Sequence, residues 1–489
     1  MKYFNVILFL SVIGLSSFYS GKASSTELNQ QRPNILLILA DDLGYADVGF
    51  NGATDIKTPN IDALAKNGVT FSAAYNAHAF CGPSRAGLMT GRYPHKFGSQ
   101  FNLPRSSMSG GLGIPRSETF FSKVLQDAGY NTAAIGKWHL GETTEFHPNN
   151  RGFSHFYGFL NGGHNYFTKQ ATKSYNSQKD KGLDHAIFSY LKPLEENGVE
   201  VEEKEYLTDG LSREAVKFIN EASENKQQPF FLYLAYNAPH SPMQAKDSDM
   251  EVFKSIKDKK RQVYAGMVYA VDRGIKQIVD ALKESGQYEN TLIVFLSDNG
   301  GKPNLGASNY PLSGKKGDVK EGGFRTPMFF HWPKHVPENR KYAFPVSTLD
   351  FYPTFANLAG ASIPEGKQLD GLDIWQAVQS NTNARPGKMI YAMRHRNGFS
   401  EASARKDGWK AITTGGKWKL FDIESDLGEK HDLSKQYPNI LREMQAEMES
   451  WSWTNVQPLW FHQHEEGRLW REKAMPRFDE TFSDIVSKQ

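Results

Sequence analysis

Short, unbroken apolar runs punctuate this chain, and turn or charged residues bound each of them. Asn34-Ile35-Leu36-Leu37-Ile38-Leu39, Pro229-Phe230-Phe231-Leu232-Tyr233-Leu234-Ala235 and Thr291-Leu292-Ile293-Val294-Phe295-Leu296 are the clearest, with shorter ones over residues 132–135 and 326–332. Runs of this length fit strands buried on both faces. Between them the apolar positions take a helical period. Thr58-Pro59-Asn60 opens a helix through Ala65 that Gly68 stops. Residues 120–128, 207–221 and 261–285 read as further helices, the last long and amphipathic. Strand and helix alternate, which predicts an α/β fold with a large, mostly parallel central sheet flanked by helices.

The rhythm breaks twice. Residues 166–205 are rich in Lys, Glu, Ser and Asn and read as an inserted loop region, either a shaper of substrate access or a solvated decoration. Residues 381–387 read as a linker. Beyond it, 417–422 reads as a strand and 437–451 as a helix. The expected division is a catalytic domain over 32–380 and a smaller C-terminal α+β domain with a short antiparallel sheet over 388–489.

The first residues carry an export pattern: Lys2, an apolar stretch over 6–15, and small residues at Gly21 and Ala23. This predicts a signal peptide, residues 1–23, cleaved after Ala23, and a periplasmic or secreted protein. The apolar stretch is too short to span a bilayer. A net charge of +3 gives no reason to expect nucleic acid or an anionic membrane surface as a partner. Hydrophobic residues at 39% suffice for a large core.

Four of the apolar runs end in chemically capable residues. They lead into Asp41-Asp42, Gly136-Lys137-Trp138-His139, Asn237-Ala238-Pro239-His240 and Ser297-Asp298-Asn299-Gly300-Gly301. Sites in open α/β sheets form at the carboxyl ends of strands, so four such endings point to one shared site. Any one Asp at a strand end is more often a cap or turn residue. Asp41, Asp42, Asp298 and Asn299 together offer only oxygen, which suits Ca²⁺ or Mg²⁺ and disfavours Zn²⁺. Arg85, Lys137, Lys316, His139 and His240 could surround a tetrahedral oxyanion. Lys137 and His139 are two apart and share a face in extended chain.

Cys81 is the only cysteine. In an exported chain it has no internal disulfide partner, and a retained thiol suggests chemistry rather than packing. Pro83 places it at the first turn of a helix, beside Arg85, where an anion is favoured. Metal, cations and an unusual cysteine together suggest hydrolysis of a sulfate or phosphate ester, and these residues alone do not choose between the two.

With these motifs in place, the chain resembles the type I, formylglycine-dependent sulfatases of the alkaline-phosphatase-like superfamily. Cys81-Gly82-Pro83-Ser84-Arg85, continuing through Leu88-Met89-Thr90-Gly91-Arg92, is similar to the family's first signature. Residues 129–139, ending Gly136-Lys137-Trp138-His139, are similar to its second. Asp41-Asp42, Pro239-His240, Ser297-Asp298-Asn299-Gly300-Gly301 and Lys316-Gly317 before Glu321-Gly322-Gly323 follow in family order, and the likeness covers residues 32–375. The resemblance implies an alkaline-phosphatase-like fold and a maturation enzyme that oxidises Cys81 to formylglycine (3-oxoalanine). The hydrated aldehyde, a geminal diol, attacks sulfur through one hydroxyl, and the second hydroxyl expels sulfate from the covalent sulfo-enzyme.

The resemblance also implies roles. Asp41, Asp42, Asp298, Asn299 and the formylglycine at Cys81 hold one Ca²⁺ per chain, a Lewis acid. Arg85 steadies the formylglycine, and Lys137 and Lys316 hold sulfate oxygens. His139 takes the proton that triggers sulfate release. His240, with or without Lys316, protonates the departing alcohol.

The substrate is expected to be a sulfated polysaccharide or its oligosaccharides, with carrageenan as the specific candidate. Arg116, His164, Arg394 and His395 are candidate substrate contacts. Trp451, Trp453, Trp460 and Trp470 could stack on sugars, though core packing is the commoner fate of tryptophan. The rival readings are a phosphonate or phosphodiester hydrolase of the same superfamily, and a non-catalytic binder of sulfated glycans.

Overall fold

In the computed structural model the run Asn34–Ala40 is strand β1, and its alternate residues serve two different cores. Ile35, Leu37 and Leu39 enter one apolar cluster, whereas Leu36, Ile38 and Ala40 enter the other. This is the period-two consequence of a strand covered on both faces. The structure describes Met1 and residues 32–104, 110–183, 188–396, 399–415 and 417–474. The expected signal peptide lies outside these residues. The chain divides into Met1–Gln31 and one compact unit, Arg32–Gln489, to which everything below refers.

Further strands follow in chain order: β2 (Val69–Phe71), β3 (Ala74–Tyr75), β4 (Asn131–Lys137) and β5 (His155–Phe159). Next come β6 (Leu194–Glu196), β7 (Val199–Val201), β8 (Phe230–Ala235), β9 (Thr291–Ser297) and β10 (Met328–His331). The central sheet has ten strands in the order β11-β2-β10-β9-β1-β8-β4-β5-β6-β7, with β11 at Arg340–Tyr342. Strands β9, β1, β8, β4 and β5 are mutually parallel. β10 runs antiparallel to both its neighbours.

Helices Cys81–Thr90, Phe121–Asp127 and Phe351–Leu358 send Ala86, Met89, Phe121, Leu125 and Phe355 to the first core. Pro59–Lys66, Leu207–Ala222 and Lys259–Glu284 send Ile61, Leu211, Ile219, Val268 and Ile275 to the second.

Residues 166–205 depart from the expected loop region. Thr168–Lys179 is a helix, and β6 and β7 form a hairpin that extends the central sheet beyond β5. The C-terminal part holds a four-stranded antiparallel sheet: β13 (Ile390–Arg396), β14 (Phe399–Lys406), β15 (Trp409–Thr413) and β16 (Lys419–Asp422). A two-stranded pair joins β3 to β12 (Val346–Ser347). The C-terminal sheet does not stand apart. Met393, Ala402 and Leu420 pack with Ala77, Tyr93 and Leu349, and Ile390 and Phe421 pack with Tyr75 and Phe324.

Candidate active site

The four adjacent parallel strands β9, β1, β8 and β4 end at one edge of the sheet, and each delivers polar residues there. Asp41 and Asp42 follow β1, Asp298 and Asn299 follow β9, Lys137 closes β4, and His240 follows β8. Backbone bonds lace these ends together, Asp41 N to Ala238 O at 3.0 Å and Asp298 N to Ala40 O at 3.0 Å. Asp42 and His139 both hold left-handed backbone, with φ of 64° and 65°. Non-glycine residues in that region cost energy and gather at functional sites. Trp138 turns away into the first core, so the two residues flanking it, Lys137 and His139, face the site.

Cys81 is the first residue of its helix and is buried. Arg85, one turn on, is wholly buried and reaches Asp298 Oδ2 from Nε at 2.9 Å and from Nη2 at 2.8 Å. Its Nη1 donates to Lys137 O at 2.9 Å. Lys137 Nζ lies 2.6 Å from Asp41 Oδ2. Lys316 Nζ pairs with Asp42 Oδ1 and sits 3.8 Å from Cys81 Sγ, the position a formylglycine oxygen would take. Burial opposes ionisation of the Cys81 thiol, but Lys137 and Lys316 outweigh it and the net shift is downward.

Three acids face three fixed cations here, so a further divalent ion would leave the site positive, as an anionic ester requires. Asp41 Oδ1, Asp42 Oδ2 and Asn299 Oδ1 are buried and have no hydrogen-bond partner. Burial and the neighbouring Asp41 push Asp298 up to about 8, against the pull of Arg85. Asp41, Asp42 and His240 bring candidate ligand atoms within 4.8 Å of one another. An orphaned, oxygen-rich cradle of this kind fits a hard cation. Asp298 and Asn299 join it through Asp42: Asn299 Nδ2 donates to Asp42 Oδ1 at 2.7 Å, and Asp42 N reaches Asp298 Oδ1 at 3.4 Å.

The two histidines differ in their surroundings. His240 Nδ1 lies 2.6 Å from Ser241 O, so that nitrogen carries the proton and Nε2, 3.8 Å from Asp42 Oδ2, is left with its lone pair. Burial pulls His240 down to about 4, over the opposition of Asp41 and Asp42. Burial, with Lys137 and Arg85 adding to it, holds His139 well below the usual histidine range, and its Nδ1 is buried without a partner. A neutral ring beside the nucleophile position can accept a proton.

A cavity of about 310 Å³ opens over these residues, lined by Cys81, His139, His240 and Lys316 at the chemistry and by Tyr190 and Arg394 around it. Of the four candidate substrate contacts, Arg394 and His395 line this cavity. Arg394 also donates to Gly317 O and lies 4.3 Å from the Phe80 ring centroid. His164 is buried with each ring nitrogen 2.7 Å from a backbone carbonyl, Asn165 O and Lys192 O, a packing role. Arg116 is exposed and does not line the cavity. Trp451 stacks on Tyr391, Trp460 donates to Phe101 O, and Trp470 packs edge-on against His395; Trp453 alone of the four is exposed.

Several residues escaped sequence reasoning. Asn102 Oδ1 accepts from Gly82 N at 2.9 Å and lies 3.8 Å from Cys81 Sγ. Lys302 lies 3.7 Å from Asp42 Oδ2. Gly162 leaves room for His139, since a Cβ there would come within 2.8 Å of Nε2. Tyr190, from the 166–205 segment, places its ring 6.4 Å from His240. No local motif marks any of them. Only the insertion's break in rhythm hinted at Tyr190.

An acidic, cation-lined pocket at the carboxyl edge of a mixed sheet, with helices on both faces, places this chain among the alkaline-phosphatase-like hydrolases. Comparison with known proteins narrows the class. The family model described as Sulfatase matches residues 33–361, and that of the N-sulphoglucosamine sulphohydrolase C-terminal region matches 315–453. Arylsulfatase J of Mus musculus is 32% identical over 477 residues, covering 87% of this chain and 76% of the relative. N-acetylgalactosamine-6-sulfatase of Mus musculus is 33% identical, covering 70% and 66%. The solved structure of Ps i-CgsB in complex with k-i-k-neocarrahexaose is 59% identical, covering 93% of this chain and 100% of that one, with a TM-score of 0.91. The chain therefore belongs to the sulfatase family and is a sulfuric ester hydrolase. Sulfatases generally use a metal ion and a formylglycine, and the orphaned acidic cradle beside Cys81 fits both.

Proposed function

We propose that this protein removes sulfate from a carrageenan-type galactan or its oligosaccharides. The observation that carries the reading is the meeting of Cys81 Sγ, Lys316 Nζ and the Asp42 carboxylate at the end of a polar cavity. The 59% identity to a structure holding a neocarrahexaose supports the galactan over other sulfated sugars.

Cys81, matured to formylglycine by a separate enzyme, supplies the nucleophile, and one Ca²⁺ held by Asp41, Asp42, Asp298 and Asn299 supplies Lewis acidity. The chain's own residues do the rest. Arg85 fixes Asp298 and the helix that carries position 81. Lys137 and Lys316 meet the sulfate oxygens with charge already in place, so little reorganisation accompanies the transition state. His139, neutral at pH 7, takes the proton that releases sulfate. His240 serves the departing sugar oxygen. Because its Nδ1 proton is engaged by Ser241 O, it donates only as an imidazolium, and Lys316 is the second candidate donor. Arg394 and His395 contact the sugar.

Residues 1–23 serve as an export signal, and the mature protein works in the periplasm or outside the cell. Among the described residues no helix is long and apolar enough to cross a membrane. Residues 32–380 form the catalytic part and 388–489 its C-terminal companion.

The test is a desulfation screen on defined κ- and ι-type neocarrageenan oligosaccharides beside glycosaminoglycan fragments, read by NMR. Loss of a galactan sulfate is expected. Turnover of the glycosaminoglycans alone would overturn the substrate.

A further inference from the structure

Lys316 sits in a loop, residues 313–321, closed internally by Lys315 N to Asp318 Oδ2 at 3.1 Å and Asp318 N to Lys315 O at 2.9 Å. It is met from outside by Asn309 Nδ2 at Gly314 O, Arg394 at Gly317 O and Ser403 Oγ at Val319 O. Its sequence, Ser-Gly-Lys-Lys-Gly-Asp-Val-Lys-Glu, has one apolar anchor, Val319, and left-handed glycines at 314 and 317. A long lysine on such a loop carries large conformational entropy. Near its tip, Lys316 N donates to Gly301 O at 3.2 Å and Gly317 N to Ala79 O at 3.0 Å. At its neck, Gly322 N donates to Ser313 O at 2.6 Å.

The neck is also gripped from far away in sequence. Glu429 lies 116 positions beyond Ser313, between β16 and the helix Pro438–Ser452. One of its oxygens, Oε2, accepts from Ser313 Oγ on one side of the neck and from Glu321 N, at 3.1 Å, on the other. Oε1 is 2.9 Å from Lys410 Nζ, and Lys410 also pairs with Glu321 Oε1 at 2.9 Å. Glu321 in turn accepts from Tyr75 Oη at 2.7 Å and Arg325 Nη1 at 2.9 Å.

The flanking Glu424, Ser425 and Lys430 are exposed, yet the Glu429 side chain is only 2% exposed and its φ is +51°. Burying a carboxylate and holding glutamate in left-handed backbone are both unfavourable. Glu321 is shared between Lys410 and Arg325, so Glu429 also balances the buried charge of Lys410. What Glu429 adds beyond that is a bond to each end of the Lys316 loop.

We infer that Glu429 is a positioning residue for Lys316, closing the neck of the 313–321 loop so that the Lys316 ammonium stays between Asp42 and position 81. The inference rests on the reading of Lys316 as part of the sulfate-binding machinery.

The experiment uses matured full-length protein with Glu429→Ala and Glu429→Gln, each made in a Lys410→Met background so that no unpaired buried cation confuses the result. Steady-state rates on an aryl sulfate, melting temperature and amide hydrogen exchange over 313–321 are measured. Glu429→Ala is expected to lower kcat about 10²-fold, the scale of a small misplacement of a catalytic group. It should speed exchange in the loop, while the melting temperature should match or exceed that of Lys410→Met, in which the buried Glu429 carboxylate has lost its cation. Glu429→Gln, which keeps an oxygen acceptor, should recover most of the rate. In a Lys316→Ala background the Glu429→Ala loss should vanish, since both changes remove one function. An unchanged kcat, a loss that multiplies with that of Lys316→Ala, or rates that track melting temperature across the set would overturn the inference. Should the parent release sulfate from no ester at all, the proposed function fails, and loop exchange alone decides the role of Glu429.

Discussion

Arg85 grips Asp298 by one oxygen only: Nε and Nη2 both reach Oδ2, at 2.9 and 2.8 Å, while Oδ1 turns toward Asp42 N. The guanidinium thus ties the helix of Cys81 to the end of β9 and leaves the second oxygen to the acidic cradle. A lysine at position 85 supplies charge without the fork. Arg85→Lys is expected to lose both Asp298 contacts and the bond to Lys137 O. Removing one partner of a buried pair costs about 3–5 kcal/mol, and a lysine that keeps the charge but loses the contacts should cost less than that. Chemical denaturation checks the stability, and intact mass of the Cys81 peptide separates failed maturation from failed catalysis. Parent-like stability and turnover would contradict this account of Arg85.

Removal of the divalent ion should act on stability as well as rate. Burial and Asp41 both push Asp298 above the usual carboxylate range, so without a cation it is protonated more readily and apparent affinity for the cation should climb as pH rises. Dialysis against a calcium chelator is expected to abolish turnover and lower the melting temperature. Ca²⁺ at a hundredfold its dissociation constant should restore about 2.7 kcal/mol. A melting temperature indifferent to chelator would count against the cradle.

Much of this site was legible because the strands that carry it are buried on both faces. Continuous apolar runs ending in Asp41-Asp42, Lys137, His240 and Asp298-Asn299 announced both the sheet and its functional edge. The C-terminal sheet was less visible. In β14, Ser403 and Arg405 are buried yet polar, because Ser403 donates to Val319 O at 2.6 Å and Arg405 to Tyr75 Oη at 2.6 Å. Partners so distant leave no periodic trace. The helix Thr168–Lys179 buries only Thr168 and Ala171, so no apolar stripe marked it. Asn102 and Glu429 act across folded distance, and neither belongs to a motif.

His240 permits a prediction with a sign. Its ring is held down to about 4, so the donating imidazolium is scarce at pH 7 and grows about tenfold per pH unit on acidification. On a sugar sulfate, whose leaving group needs the proton, kcat/KM should rise as pH falls from 7 toward 5. On an activated aryl sulfate it should not. His240→Ala should remove the slope and cost about 10²–10⁴-fold on the sugar ester. Stability runs the other way. His78, His95, His139 and His395 are also held below their ordinary value by burial, so below about pH 6.5 the unfolded chain binds more protons and the fold weakens. Initial rates measured beside a melting curve at each pH separate the two effects. Equal slopes on both esters would assign the donor elsewhere, with Lys316 the next candidate.

Gly162 offers the most local test of His139. The histidine is held from both sides, by its own left-handed backbone and by the space that glycine leaves under the ring. A Cβ at 162 would stand 2.8 Å from Nε2 and 3.1 Å from Cε1, closer than ordinary contact, so the ring must tilt. The three atoms nearest that Cβ all lie on the His139 ring, so the strain falls first on the histidine. Gly162→Ala is therefore expected to leave the melting temperature nearly unchanged and to slow turnover by about 10²-fold, the scale of lost proton transfer. If His139 serves sulfate release rather than the first attack, the slow step moves there. A rapid-quench experiment with an activated aryl sulfate should then show a burst of phenol, one per active site, followed by slow turnover. A uniformly slow reaction without a burst would instead place His139 in the attack itself.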